Sequence, residues 1–330
     1  MLSRMMLFAT SLLTLVFSQI VLGDNKSYTL PKFESSTQYF EQSDSSISPS
    51  NVNYTNNFGL KDQYSWNDVL DQLDEYHKLF FIIRHAFGVH QCNTPSTDWT
   101  CYWQTLDGYN GQVWADAVLT QQGIDQSKKL SQQIKNTKNF PYPNHYYSSP
   151  LRRTLETWDY VWKDLTSKGP TIKEFARETY GIQTESKRHD KNYISLNWPH
   201  ATFEKGFTSN DELWSSTKRE TGQHRKYRAA SLLNDIFDAS KDDKVVSIVS
   251  HSGLIGSILD VVGHRDYPVD NAVLIPVIIQ RKKHKTKTYD LDDPDKTFAD
   301  ICPDKPSTIT EGPELTCSAG PFDEKDPSGN

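Results

Sequence analysis

The chain has 330 residues, a charged fraction of 24%, an aromatic fraction of 12% and a formal net charge of -6. That length suits one large domain or two modest ones, and the composition supplies a packed core, which excludes wholesale disorder. The acidic excess is spread along the chain without a long Lys/Arg block, which excludes nucleic acid as the main partner; Arg281-Lys282-Lys283 reads as a solvated strand end.

In chain order, Arg4 precedes an almost uncharged apolar stretch from Met5 to Leu22, and Val21-Leu22-Gly23 places small residues before Asp24. This layout predicts a secretory signal peptide over residues 1–23. A membrane anchor is disfavoured because Ser11, Thr14 and Ser18 dilute the run and no stop-transfer charges follow. The mature protein is expected outside the cell or at its surface, with no membrane span after cleavage. Asn25-Lys26-Ser27 and Asn53-Tyr54-Thr55 then become glycosylation acceptors at Asn25 and Asn53. Four cysteines form two close pairs in sequence, and an oxidising compartment predicts local bridges, Cys92 with Cys101 and Cys302 with Cys317, although three connectivities are open. Neither pair has a neighbouring histidine at metal-site spacing, so no zinc site and no metal is expected.

Residues 24–65 are polar, with little periodicity, and read as an irregular arm. Trp66, Val69, Leu70 and Leu73 predict an amphipathic helix reaching His77. Leu79-Phe80-Phe81-Ile82-Ile83 predicts a strand buried on both faces, abruptly followed by the polar Arg84-His85. Leu119-Thr120-Gln121-Gln122-Gly123 leads into a helix through about Thr137. His145 to Ser149 is a short strand stopped by Pro150, and Leu151, Leu155, Trp158, Trp162 and Leu165 mark the next helix. Thr171 to Phe175 is a further strand. The stretch of about 179–222 is read as an irregular insertion over the site. His224 to Ser240 is a helix, Val245 to Val249 a buried strand ending at Ser250-His251, and Ser252 to Val262 a helix closed by Gly263. Val273 to Gln280 is the last strand. Residues 286–330 read as a loosely ordered tail, leaving 66–285 as the catalytic domain. Strands alternating with helices predict an α/β fold, three layers α/β/α around a mainly parallel sheet.

Two strand-to-helix junctions each carry a histidine, His85 and His251, and a third, Ser149-Pro150-Leu151-Arg152-Arg153-Thr154, carries two arginines. In a parallel sheet these junctions share one edge, where open α/β sheets hold ligands. Arginine forks suit phosphate oxygens, and a neutral imidazole held at one nitrogen can attack phosphorus with the other. Together they predict a phosphate pocket of Arg84, His85, Arg153 and His251, with His251 stabilising charge on the transferring group.

Arg84-His85 after an apolar strand resembles the Arg-His-Gly signature of the histidine phosphatase superfamily, the phosphoglycerate-mutase-like proteins. Ser149 to Thr157 is similar to that family's second arginine motif, Val249-Ser250-His251-Ser252-Gly253 to its second-histidine motif, and Leu119-Thr120 with Gly123 to its Leu-Thr-x-x-Gly helix entry. Phe58-Gly59-Leu60, Trp114-Ala115-Asp116-Ala117 and Lys187-Arg188-His189 resemble its fungal phosphomutase-like branch. The resemblance runs from about Leu79 to Gln280. It implies a phosphoglycerate-mutase-like fold and no cofactor. It also implies His85 as nucleophile, Arg153 over Arg152 as the pocket arginine, and Glu178, within Arg177-Glu178-Thr179-Tyr180-Gly181, as the acid. Arg188, His189, Trp198 and His200 are candidates for shaping specificity.

The departures from the family pattern are Ala86 for glycine, Phe87, and Gln91 after His90, with Asn93 two places out of register as a substitute amide. Ala86 is expected to strain or narrow the phosphate loop. The leading expectation is a secreted phosphatase acting on small phosphomonoesters through a phosphohistidine on His85. The alternatives are a catalytically impaired binding or cell-surface protein, a phosphomutase, and a metal-dependent hydrolase that excess chelator would silence.

Overall fold

A computed structural model describes residues 27–55, 57–92, 97–239, 242–291, 295–304 and 312–325; the signal-like stretch, Asn25 and Asn93 lie outside the described residues. Its centre is a seven-stranded sheet. We number the strands β1 (Ser27–Ser35), β2 (His77–Arg84), β3 (His145–Ser148), β4 (Thr171–Ile172), β5 (Thr202–Phe203), β6 (Val245–Ser250) and β7 (Leu274–Asp290). The spatial order is β1-β7-β2-β6-β3-β4-β5. Only β7 runs against its neighbours, and β2, β6, β3, β4 and β5 are mutually parallel.

Alternation along the buried strands sends successive side chains to opposite faces. Phe80, Ile82, Val246 and Ile248 pack with Leu232, Leu233, Ile236 and Phe237 of one helix (Gly222–Ala239) and with Leu254, Ile255 and Ile258 of another (Ser252–Val261). Leu79, Phe81, Ile83, Val245 and Val249 pack oppositely, with Trp66 and Val69 (helix Trp66–Asp71), Leu130 and Ile134 (helix Gln121–Asn136) and Trp158, Val161 and Trp162 (helix Arg152–Trp162). The three layers follow directly: each face of β2 and β6 is too apolar to leave in water, and each has its own helices. At about 1.5–3 kcal/mol per buried large side chain, the two faces are the main source of stability.

Four expectations need correction. Residues 24–65 are not irregular throughout, because Ser27–Ser35 is an edge strand paired along β7. The last strand does not stop near Gln280; it continues to Asp290, carried by that same pairing. The first helix ends at Asp71 rather than His77, since Asp74 Oδ1 accepts the Tyr76 N–H and turns the chain out of helix. The insertion of 179–222 is partly regular: helix Lys191–Asn197 and β5, at the far sheet edge, both lie in it.

The tail is also corrected. Cys92 bonds Cys317 and Cys101 bonds Cys302, so neither bridge is local. Thr316 N–H donates to the Cys92 carbonyl, bringing the tail backbone onto that cysteine, and Ala319 bridges Thr120. Phe322 stacks on Trp198 and lies under the Arg152 guanidinium, while Glu324 accepts from the Tyr193 hydroxyl. The bridged cysteines are 225 and 201 residues apart, and the bridges are nested. In the chain-entropy description the first closure contributes about 5 kcal/mol, and the second, closing a much shorter effective loop, about 3 kcal/mol. Among the described residues, no helix is long and apolar enough to cross a membrane.

Candidate active site

Strands β2, β6 and β3 end side by side. Arg84 is paired with Ser250, His85 N–H donates to the Ser250 carbonyl, and Ser149 N–H donates to the Val249 carbonyl. The predicted convergence of His85, His251 and the Ser149–Arg153 segment at one sheet edge is therefore present. The His85 and His251 rings lie 5.1 Å apart, centroid to centroid, and both are buried.

The proton on His85 follows from its partner. Nδ1 lies 2.8 Å from the Ala86 carbonyl oxygen, which can only accept, so Nδ1 carries hydrogen and Nε2 keeps its lone pair in the neutral ring. Burial first, then the charges of Arg153 and Arg84, push the His85 pKa well below the usual imidazole range. His251 is similarly depressed, by burial and by Arg153 and His85; its Nε2 is 2.9 Å from Ser149 Oγ. His90, which sequence reasoning left outside the site, brings a third ring to 5.4 Å from His85. Its position five residues beyond the nucleophile, closing the same loop, was the available signal.

Several polar atoms around these rings have no partner within the protein. Arg84 Nε, Arg153 Nε, His90 Nδ1 and His251 Nδ1 are buried with no protein partner among the described residues. Arg84 Nη1 donates to the Val269 carbonyl and Arg153 Nη1 to the Glu185 carbonyl, which fixes each guanidinium by one corner. Buried polar atoms are normally paired, and leaving one unpaired costs about 1–3 kcal/mol. Their convergence on one place is what a site for a compact oxyanion requires.

The loop after His85 is held from several sides. Ala86 N–H donates to Thr157 Oγ1, Phe87 N–H to Gln126 Oε1, and Asn271 Nδ2 to the His85 carbonyl. Glu156, its carboxyl pushed up to about 8 by burial, accepts the Leu119 N–H. A Cβ on Gly123 would collide with the Phe87 carbonyl, which gives the Leu-Thr-x-x-Gly pattern its physical reason. Ala86 does not strain this loop, contrary to expectation: it is absent from the left-handed region, and its methyl packs with Leu119, Ile124 and Ala272. Gln91 exchanges amide hydrogen bonds with Asn271 and accepts the Gly88 N–H, so it secures the loop.

Glu178 follows β4 through the turn Glu174–Ala176. Burial alone would raise its carboxyl, but the Thr179 and Gly253 N–H groups, with Arg153 and Arg225, hold it below the usual carboxylate value. A Cβ on Gly253 would collide with Glu178 Oε1 and crowd Thr179 Oγ1. Gly253→Ala should therefore displace the carboxylate and lower kcat about 100-fold with the melting temperature little changed. Steady-state kinetics beside thermal unfolding checks this; unaltered kcat would remove Glu178 from the reaction.

Among the specificity candidates, Arg188 is corrected. Arg188 Nε bonds the Glu174 carboxylate, and its Nη groups bond the carbonyls of Thr208, Ser209, Asn210 and His189, leaving it no role toward a ligand. Arg177 pairs with Glu174 and Asp211 rather than Glu178. His189 is tied to Asp116, which also accepts the Arg152 N–H, and stacks on Tyr193. Trp198 is buried, and His200 stacks on Trp158 while pairing with Asp159. Asn53 is exposed, and its Oδ1 accepts from the Thr55 N–H and hydroxyl.

The family model described as "Histidine phosphatase superfamily (branch 1)" matches residues 96–289, a span that begins just after the His85 loop. The chain is 51% identical over 285 residues to phosphomutase-like protein 3 of Candida albicans, covering 86% of this chain and 90% of that protein. It is 33% identical over 326 residues to a probable phosphoglycerate mutase of Arthroderma benhamiae, covering 88% and 96%. A solved phosphoglycerate mutase from Bacillus anthracis str. Sterne is 18% identical, with a TM-score of 0.41 over 62% of this chain and 89% of that one.

Proposed function

The chain belongs to the histidine phosphatase superfamily, and from that premise we propose that it is a secreted hydrolase of small phosphomonoesters working through a phosphohistidine on His85. The observation that carries this reading is the free Nε2 lone pair of His85, set among buried donors that lack protein partners. His85 Nε2 attacks phosphorus, the N–P bond forms, and the P–O bond to the leaving group breaks. Arg84, Arg153 and His251 Nδ1 donate to the equatorial oxygens as charge develops there. Glu178 gives its proton to the leaving oxygen. Though ionised in the free site, its carboxyl is raised once a phosphate dianion offsets Arg153, which suits an acid that must load with substrate. Water, deprotonated by Glu178, then attacks phosphorus, breaks the N–P bond and releases inorganic phosphate.

Secretion supports hydrolysis over mutase chemistry, because it separates the chain from intracellular sugar phosphates. The signal-like residues 1–23, the exposed Asn53 acceptor and the two disulfides favour that location.

The test is aryl phosphate hydrolysis across pH. Attack needs unprotonated His85, so a depressed pKa moves the acid limb of kcat/KM downward. Because Glu178 is ionised in the free site, its proton enters with the monoanionic ester. Referred to that monoanion, whose second ionisation lies at about 6, kcat/KM should stay level through the ordinary imidazole value of about 6.5 and fall only below it. A limb so referred and centred at or above that value would contradict the His85 environment, and no hydrolysis at any pH would contradict the activity.

A further inference from the structure

We infer that Arg219 and Arg225 form a second oxyanion subsite beside Glu178, selecting phosphomonoesters whose leaving group carries another phosphate or a carboxylate. The inference rests on His85 and Glu178 as nucleophile and acid, because Glu178 marks the leaving-group side of the phosphate pocket.

Of the ten arginines among the described residues, five have a carboxylate oxygen within 4.0 Å, Arg152 among them through Glu324 at 3.8 Å. Arg177 pairs with Glu174 and Asp211, Arg188 with Glu174, Arg228 with Glu220 and Arg281 with Asp238. Arg265 donates to three backbone carbonyls. Among the described residues, Arg84, Arg153, Arg219 and Arg225 have no carboxylate oxygen within 4.0 Å. The first two hold the transferring phosphoryl group. The other two have no such explanation, yet they adjoin the acid.

Arg225, in the first turn of helix Gly222–Ala239, donates from Nε to Ser257 Oγ at 2.9 Å and from Nη1 to Thr179 Oγ1 at 2.5 Å. That threonine hydroxyl lies 3.3 Å from Glu178 Oε1, so one side chain separates Arg225 from the acid. Arg219 lies in the short strand Lys218–Arg219, and alternation sends it away from its neighbours. Lys218 and Glu220 act on Asp295, and Arg219 feels the charges of Glu185, Glu178 and Arg225 before that of Glu220.

The position of Arg219 is built into the backbone. Gly181 has φ +98°, and a Cβ there would collide with the Lys218 carbonyl. Glu220 N–H donates to the Tyr180 carbonyl and Ile182 N–H to the Ser215 carbonyl, pinning this strand onto the loop that follows Glu178. Arg219 Nε and Nη2 and Arg225 Nη2 have no protein acceptor among the described residues, and none of these atoms is fully buried. Burial lowers the Arg219 pKa more than the charges of Glu185, Glu178 and Glu220 raise it, and none of these carboxylates pairs with the guanidinium within 4.0 Å. Two part-buried guanidinium groups with open N–H donors, fixed past the acid, suit a ligand oxyanion.

The test uses esters that differ by one anionic group: ethyl phosphate against 2-phosphoglycolate, and propyl phosphate against propane-1,3-diyl bisphosphate. For the full chain, kcat/KM should favour at least one anionic partner by about tenfold or more, in line with hydrogen bonds to charged groups. The first pair reports carboxylate recognition and the second phosphate recognition. In Arg219→Gln/Arg225→Gln that ratio should fall to within about threefold of one, while Arg219→Lys/Arg225→Lys should keep part of it. Hydrolysis of all four esters without preference, or a ratio unmoved by both variants, overturns the subsite and leaves the phosphatase reading standing. Should no ester turn over, the phosphatase reading fails; calorimetric affinities of the same pairs then decide the subsite, and equal affinities overturn it.

Discussion

Replacing His85 with asparagine is expected to lower kcat for phosphomonoesters by about 10^4-fold or more, the scale seen when a covalent nucleophile is lost. Asparagine keeps a polar side chain in the buried position, so the melting temperature should change little beside that loss. The remaining donors still surround the phosphate position, so inorganic phosphate should continue to stabilise the variant against heat. Retained turnover would transfer the nucleophile to another residue. His251 is poorly placed for that role, because its Nε2 is engaged with Ser149 Oγ.

Arg153→Lys is the second large effect. The guanidinium is buried, fixed through the Glu185 carbonyl, and its charge is among the causes that depress His85, His90 and His251. Lysine keeps the charge but gives up the planar fork, so kcat/KM should fall by about 10^2 to 10^3-fold. The shift of melting temperature with added phosphate should shrink in parallel. Wild-type kinetics in this variant would mean that the charge alone, and not the fork, holds the anion.

The residues that revealed the site were those whose meaning is local. Leu79 to Ile83 and Val245 to Val249 are apolar on both faces, so each had to be a central strand, and a charged residue immediately beyond such a strand lies at a sheet edge. Arg84, His85, His251 and Arg153 were legible for that reason. Ser27–Ser35 was not, because an edge strand with only Phe33 fully buried carries no apolar alternation, and its partner lies some two hundred and fifty residues away in β7. The disulfides failed for the same cause: nearness in sequence said nothing about a tail that returns to the His85 loop. Arg188 looked like a ligand-facing cation, and only three dimensions reveal that Glu174 and four carbonyls enclose it. Ala86 misled in the opposite direction. A missing glycine suggested strain, but the backbone there does not need left-handed φ, and a small hydrophobic pocket receives the methyl group.

The relatives bear names of mutases and mutase-like proteins, whereas hydrolysis is the reading proposed for this chain. Both chemistries pass through the same first step, phosphoryl transfer to the first histidine, so that step is the common ground on which the account stands. Rapid acid-free quenching of the enzyme during turnover of a radiolabelled phosphomonoester, followed by peptide mapping, tests it most directly. The account predicts base-stable, acid-labile label on the peptide containing His85, absent from His85→Asn. Label on any other residue, or turnover with no labelled protein at early times and saturating substrate, would contradict it.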